Sequence, residues 1–394
     1  MRFAIEALGL RAGGGKELGL NLLSRLRQFP DDDFLLFLPD LPEYRSLAGA
    51  NVRCIHAGSR NLASRYWTLQ RVIPRICAQY QTDALLCLGN FVPYRSPCPI
   101  AVLIQNACLA YREPVAERQL TLREKLILAY GRTALRALRN SSHVVVQTTT
   151  MREHLLSLQP LDPERISVIP NPLDSSAASG LTAPVRTLNK TRPFTFLCLA
   201  RYYAHKNLEI LPEALKRLLA YTSRQARCLI TISAGQHPRA RKLLDRIERE
   251  GLRHMLSNIG PVPNSRLACA FRSADALIFP TLLESYTRTY SEAMRFGLPI
   301  LTSDRDFARH LCGEAAIYFD PLDPDSVARS MVSIMTDRDL RQRLINNGQR
   351  ILSALPTWDE ITARFIVVLE RAAQSMPSRS ELLTEASLKP GEQA

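Results

Sequence analysis

Short apolar runs alternate with stretches of helical periodicity from one end of the chain to the other. In the first half the runs are Phe3–Leu8, Phe34–Leu38, Val52–His56, Ala84–Leu88, Ile100–Ile104 and Val144–Gln147. They are mostly continuous rather than alternating, which is what strands covered on both faces require. Helix-length segments separate them, so the pattern predicts parallel sheets built from βαβ units. Thr150-Met-Arg-Glu153 has the spacing of a capping box and predicts a helix start. Ile166-Ser-Val-Ile-Pro170-Asn171-Pro172 is one more strand, closed by proline turns. Residues 174–193 are rich in Ser, Ala, Thr and Pro without periodicity and read as a linker. A second series follows at Phe194–Leu199, Leu229–Ser233, around Ile259, Ala276–Phe279, Ile300–Thr302 and Ile317–Phe319. Helices over 323–335 and 337–353 close it. The organisation predicted is a first domain over 1–175, a linker over 176–192 and a second domain over 193–356. A polar tail over 377–394 follows, and no internal repeat is visible.

Composition narrows the class. At 394 residues the chain is long for one core, and about 150 residues per domain gives two or three. A hydrophobic share of 46% and a charged share of 22% describe a globular protein rather than a disordered one. No stretch approaches the roughly 18 uncharged apolar residues of a membrane span. Met1-Arg-Phe-Ala-Ile-Glu6 reads as a strand without the apolar core of a signal peptide. The nine cysteines form no Cys-x-x-Cys pair, and several lie in apolar strands, which fits reduced, buried thiols. These features place the chain in the cytoplasm.

The net charge of +14 favours polyanionic partners. Its arginines are spread along the chain with no nucleic-acid-binding motif among them, so nucleic acid is not expected. One segment stands out. Residues 112–139 carry seven basic and three acidic side chains and read as a basic amphipathic helix over 122–139. Such a helix suits the surface of an anionic membrane, at about 1 kcal/mol per basic residue. An ordinary helix with solvated arginines fits the same pattern, and both readings stay open.

The richest stretch is Ala276-Leu-Ile-Phe279-Pro280 through Gly297-Leu-Pro299 and Ile300-Leu-Thr302. A strand ends at Pro280, a polar loop follows, and a helix is expected from near Tyr286 to Gly297. Glu284 falls on the loop and Glu292 inside the helix. Loops at the carboxyl ends of parallel strands bind ligands, and a helix N-terminus there offers free amides to an anion. Acid, amides and acid together suit a ligand with hydroxyls and phosphates, of which a nucleotide sugar is the plainest. Two glutamates at this spacing also occur in ordinary helical proteins, so spacing alone does not decide.

The wider pattern does more. Gly260-Pro-Val-Pro-Asn264, Ala274-Asp275, the two glutamates, Gly297-Leu-Pro299, Thr302-Ser303-Asp304, Gly313-Glu314-Ala315-Ala316 and Phe319-Asp320-Pro321 together resemble the signature of retaining glycosyltransferases of family four. The resemblance covers roughly residues 192–325. It implies the GT-B fold: two Rossmann-like parallel-sheet α/β domains facing each other across a cleft, the first on the acceptor side and the second holding the nucleotide-sugar donor. The helix from Thr357 to about 376 then resembles the one that returns to the first domain in such proteins.

What the resemblance implies for function is specific. Arg201 and Lys206, after the strand Phe194–Leu199, match the pair held to bind the donor diphosphate. Fixed cations there stabilise the charge that builds on the leaving group. Gly13-Gly14-Gly15 matches the glycine loop that faces the donor, though a strand-to-helix turn of glycines is also simply a flexible turn. Glu292 maps to the ribose-binding glutamate and Glu284 to the one that contacts the sugar. Many members follow the first glutamate with Gly-Phe-Gly; here Ser285, Tyr286 and Thr287 stand there, which changes the surroundings of the donor sugar. Many carry a histidine where this chain has Gln105 and Asn106, amides able to orient sugar or acceptor hydroxyls without shuttling protons. No His/Asp/Glu cluster suggests a metal, and no cofactor is expected beyond the nucleotide-sugar substrate (UDP or GDP).

The function implied is hexosyl transfer from a nucleoside-diphosphate sugar to a glycan or lipid-linked acceptor, as in bacterial surface-polysaccharide synthesis. It would take place in the cytoplasm or at the inner membrane face. A sugar-nucleotide epimerase or hydrolase of the same fold is the enzymatic alternative. A catalytically silent, polyanion-binding subunit is the alternative from another class.

Overall fold

The computed structural model describes residues 1–11, 13–57, 61–118, 120–172 and 192–375. The linker expected over 176–192 lies outside these but for Arg192, as does the tail over 377–394. The chain divides into two compact units. One holds Met1–Ala110, Leu128–Asn171 and the segment from Trp358; the other holds Tyr111–Ile127 and Pro172–Thr357.

The first unit is built on β1 (Arg2–Glu6), β2 (Asp33–Pro39), β3 (Val52–Ala57), β4 (Ala84–Cys87), β5 (Ile100–Leu103), β6 (His143–Val146) and β7 (Ile166–Val168). They form one sheet in the order β3-β2-β1-β4-β5-β6-β7, parallel throughout. The second unit carries β8 (Phe194–Cys198), β9 (Ala226–Ile230), β10 (Leu256–Asn258), β11 (Ala276–Phe279), β12 (Ile300–Ser303) and β13 (Ala316–Phe319). Their order is β10-β9-β8-β11-β12-β13, again all parallel. Every residue of β4, β5, β8, β11 and β12 is buried, which explains their unbroken apolar sequences. In each sheet the strand order reverses once, between β1 and β4 and between β8 and β11.

Helix Trp358–Gln374 completes the first unit's core. Trp358, Ile361, Phe365, Leu369 and Ala372 recur every three or four positions, so one face of the helix is apolar and buried. Arg25 anchors its start, with Nε 2.8 Å from Asp359 and the guanidinium over the Trp358 ring.

Four local expectations are corrected. The helix expected to open at Thr150 is capped by Thr148, whose extended backbone lets its hydroxyl accept the Met151 amide at 3.1 Å. Strand β9 ends at Ile230 rather than Ser233. Beyond it side chains replace the ladder, with Thr231 Oγ1 bonded to both Ala200 N and Ala200 O at 3.0 Å. The helix expected over 122–139 runs Leu122–Ala134 and tightens into a 3₁₀ segment, Leu135–Asn140. Residues 111–127, expected with the first domain, cluster with the second unit. There the short helix Pro114–Arg118 packs on the turn Ala204–Lys206, and Glu124 meets His237 Nε2 at 3.3 Å.

One clamp starts the second sheet. Arg192 grips the buried Asp275 with two bonds of 2.7 and 2.6 Å, and the same carboxylate accepts the Thr195 amide at 2.9 Å. Removing it would leave a guanidinium and an amide without their acceptor. Breaking a buried pair costs about 3–5 kcal/mol; Arg192 is 35% exposed, which moves the expectation to the lower end. Asp275→Ala should therefore lower stability by about 3 kcal/mol, read as a shift of the urea midpoint. A change under 0.5 kcal/mol would show that solvent replaces the clamp.

Candidate functional site

The reversal between β8 and β11 gathers the second unit's candidates. Beyond β8 the chain makes a 3₁₀ turn, Ala204–Lys206, ended by Asn207 at φ 54°. Asn207 holds this left-handed conformation while its side-chain amide donates to Pro321 O at 2.7 Å. Beyond β11, Leu282 N donates to His205 O at 2.7 Å, which laces the two loops together. The result is a nearly buried ion pair. Lys206 Nζ lies 2.5 Å from Glu284 Oε1 and 4.7 Å from the centroid of the Phe279 ring. Thr281 Oγ1 donates to the same glutamate oxygen at 2.8 Å. An ammonium over an aromatic face and against a carboxylate is held in both distance and direction. Arg201 is different: its side chain is exposed and has no ion-pair partner among the described residues. His205 stacks on Tyr203 with ring centroids 5.5 Å apart. Burial pulls its pKa down to about 4 against the opposing pull of Glu284, so it is neutral at pH 7.

The helix after this loop runs Arg288–Arg295, two residues later than expected, and stops at Gly297 with φ 64°. Thr287 occupies the N-cap position without a side-chain bond to the first turn. The N-cap side chain therefore leaves the amides of that turn to other partners at the carboxyl edge of β11. Ser285 and Tyr286 lie half-buried in the loop, and burial pushes the Tyr286 phenol up to about 12. Tyr290 pins the helix down: its ring meets Phe279 edge-on at 5.5 Å and its hydroxyl lies 2.5 Å from Thr302 Oγ1. Glu292 pairs with Arg288 at 3.6 Å, one turn away. Glu284 and Glu292 thus hold separate cations. Arg288 escaped the sequence analysis, although its i,i+4 spacing to Glu292 was visible there.

In the first unit the corresponding edge is at β1 and β4. Gly13, at φ 60°, Gly14 and Gly15 form the first turn of helix Gly13–Ser24 rather than a loop before it. A Cβ on Gly14 would meet nothing within 4 Å, while one on Gly15 would press on Leu10 at 3.3 Å. The turns after β1 and β4 nearly touch, since a Cβ on Gly9 would lie 3.6 Å from Gly89 Cα. Glu6, the last residue of β1, ties them. Its carboxylate accepts the Leu8 amide at 2.9 Å and is also bonded by the amides of Gly89 and Gly9. Asn90, at φ 68°, continues the brace by accepting the amides of Gln105 at 2.6 Å and Asn106 at 2.8 Å. Gln105 spends its own NH₂ on Leu88 O at 3.1 Å, and Asn106 caps the next short helix through Cys108 N at 3.0 Å. Both amides thus hold backbone in this structure. The sequence reads Glu6 only as part of the first strand, and no sequence signal marks Asn90.

The helix Leu122–Ala134 opens with a capping box that the sequence does contain: Thr121 and Glu124 bond reciprocally at 2.8 and 3.3 Å. Leu122, Leu126, Ile127 and Tyr130 are exposed on it. Among the described residues no helix is long and apolar enough to cross a membrane.

Residues 183–351 match the family described as glycosyl transferases group 1. The chain is 26% identical over 184 residues to a glycosyltransferase of Methanocaldococcus jannaschii, covering 46% of this chain and 45% of that protein. It is 26% identical over 251 residues to a D-inositol 3-phosphate glycosyltransferase of Xylanimonas cellulosilytica, covering 61% and 59%. It spans about half the length of these curated relatives. Among solved structures, Anabaena HepE in complex with UDP-glucose superposes with a TM-score of 0.69 at 16% identity, over 94% of this chain and 99% of that one. At that identity the likeness is one of fold, and the fold is GT-B.

Burial raises Glu6 from the ordinary 4.5 to about 7; the amides and Arg65 pull it down only in part. The stability tied to its proton is complete below pH 4.5 and is lost as pH rises through 7. At 1.36 kcal/mol per pKa unit the loss amounts to roughly 3 kcal/mol. Glu6→Gln cannot ionise, so its stability relative to the native chain should rise between pH 5 and pH 8 by up to that amount. Paired urea titrations at the two pH values check this, and a pH-independent difference would refute it.

Proposed function

We propose, from the match of residues 183–351 to the glycosyl transferases group 1 family, that this chain moves a hexose from a nucleoside-diphosphate sugar to a hydroxyl of a growing glycan, with retention at the anomeric carbon. The observation that carries this reading is the Lys206–Glu284 pair at the reversal of the second sheet, 2.5 Å apart and beside the start of helix Arg288–Arg295. Ligands of open parallel sheets bind at that place. In this reading Lys206 and the exposed Arg201 hold the diphosphate, with the amides of Tyr286, Thr287 and the first helical turn. Glu292, steadied by Arg288, takes the ribose hydroxyls, and Glu284 takes a hydroxyl of the transferred sugar. Gly13 to Gly15 supply amides at the first unit's edge, and Gln105 with Asn106 shape the wall there.

The chemistry asks little of a general base. The bond between the anomeric carbon and the diphosphate oxygen breaks, and its electron pair leaves with the phosphate. The acceptor oxygen bonds to the same face of the sugar, and its proton passes to the departing diphosphate. The protein's part is to stabilise charge on that leaving group with fixed cations. With His205 neutral at pH 7, Lys206 and Arg201 bear that charge. The pairing of Lys206 with Glu284 keeps the ammonium aimed before the donor arrives, at the cost of a partner the phosphate must share.

A lipid-linked acceptor in surface-polysaccharide synthesis fits the exposed Leu122, Leu126 and Ile127, which lie beside Arg123 and Lys125 on one helix. That face suits the inner surface of an anionic membrane. UDP is the favoured donor base, since a protein of the same fold holds UDP-glucose.

Thermal unfolding against UDP, GDP, ADP and TDP sugars tests the donor site. A ligand at a hundredfold excess over its Kd stabilises by about 2.7 kcal/mol. The expected result is a shift with one nucleotide, lost in Glu292→Ala; no shift with any nucleotide would remove the donor site. With that donor, Lys206→Ala should lower kcat by about 10²–10³, measured as release of the nucleoside diphosphate.

A further inference from the structure

The loops at the carboxyl edge of the first sheet bring together four aromatic rings that the donor site does not use. Tyr66 lies in helix Leu62–Trp67 beyond β3, Phe91 and Tyr94 lie beyond β4, and Tyr130 lies in helix Leu122–Ala134. Tyr66 and Tyr130 meet edge-on with centroids 5.9 Å apart, and Phe91 leans on Tyr130 at 6.3 Å. Hydrogen bonding with Tyr66 adds to burial in keeping the Tyr94 and Tyr130 phenols protonated. The three tyrosines nevertheless stay 39%, 48% and 40% exposed, with Trp67 at 61% beside them.

The cluster is built rather than incidental. Gln70 fixes the loop that carries Tyr94, accepting Tyr94 N at 2.9 Å and donating to Val92 O at 3.2 Å. Gln70 itself lies in a π-helical turn, Thr68–Val72, set between Leu62–Trp67 and Ile73–Gln79. Pro74 just beyond has no amide to continue an α-helical ladder. Single π turns inside helices are rare and concentrate at functional sites. The same short helix carries Arg65, whose guanidinium lies 3.9 Å from where a Gly9 Cβ would stand and acts on Glu6. Arg65, the neighbour of Tyr66 in that helix, therefore links the platform's helix to the turn at Gly9.

We propose that this platform is the acceptor subsite and that it takes a pyranose ring of an oligosaccharide. The proposal rests on the transferase reading above and names the acceptor's chemistry. A pyranose offers a C–H face of positive potential to the negative face of an aromatic ring, and hydroxyls at its rim to phenols. Tyrosines carry both contacts on a stiff side chain with little entropy to lose. An aliphatic tail would make no use of three phenols that hydrogen-bond among themselves.

The test is binding of the full chain to an array of defined di- to hexasaccharides, followed by titration of the strongest binder. Tyr66→Ala and Tyr94→Ala should each weaken it tenfold or more. Tyr94→Phe, which keeps the ring, should stay within threefold. Tyr80→Ala, an equally exposed tyrosine beside Arg2 and Arg53 at the opposite edge of the sheet, should leave binding unchanged. A donor-induced thermal shift, measured on the same samples, reports the transferase reading separately. A chain that responds to donor but binds no glycan, or binds one equally well in both alanine variants, overturns the subsite. Loss of binding to anionic phospholipid vesicles in those variants, with no glycan bound, also overturns it and reassigns the platform to a membrane surface.

Discussion

The constraint on which everything else depends is the single reversal of strand order in each parallel sheet. A parallel ladder forces every connection to return across a face, so all strand ends of one polarity meet at one edge. Where the order reverses, neighbouring connections depart in opposite directions and leave a crevice. Between β1 and β4 that crevice is filled by the Glu6 carboxylate, which a Cβ on Gly89 would meet at 2.9 Å. Between β8 and β11 it is wide enough for Lys206 and Glu284. Residues far apart in sequence become chemical neighbours there without any dedicated scaffold.

Charge at these edges is handled in opposite ways. In the second unit Lys206 and Arg288 each face a glutamate, so carboxylates and cations share the cost of leaving water. In the first unit Glu6 stands among amides with Arg65 acting on it from a distance, and burial wins. Its job is geometric: three backbone amides from two turns converge on one carboxylate. Asn90 and Gln105 extend the same logic to the end of β5, exchanging side-chain bonds for backbone order. The aromatic platform then rests on an edge whose turns are already fixed.

Strands and the 276–300 unit were legible because each leaves a local mark. Buried parallel strands are uninterrupted apolar runs, and Gly297 ends its helix with the positive φ that its identity announces. Arg288–Glu292 and the Thr121–Glu124 box left marks of the same kind and were passed over. Other features leave none. Tyr66, Tyr94 and Tyr130 come from three separate segments with no shared period, and only the sheet brings them together. The grouping of 111–127 with the second unit depends on tertiary contacts, Glu124 with His237 among them. There His237 Nδ1 accepts the Arg239 amide at 3.1 Å, which leaves Nε2–H to donate to Glu124 in the neutral ring. Nothing local in the sequence reports such a partner.

The last helix carries a consequence for how the chain is made. Trp358, Ile361, Phe365 and Leu369 are part of the first unit's core, yet they leave the ribosome after the whole second unit. Domains usually fold in the order of their synthesis. Here the first sheet emerges early with an apolar face that Leu18, Leu22 and Leu23 cover only in part. The second unit, whose strands are contiguous in the chain, can close before it. The nascent chain should therefore acquire protease resistance from the middle outward, with the amino-terminal sheet the last region to become protected.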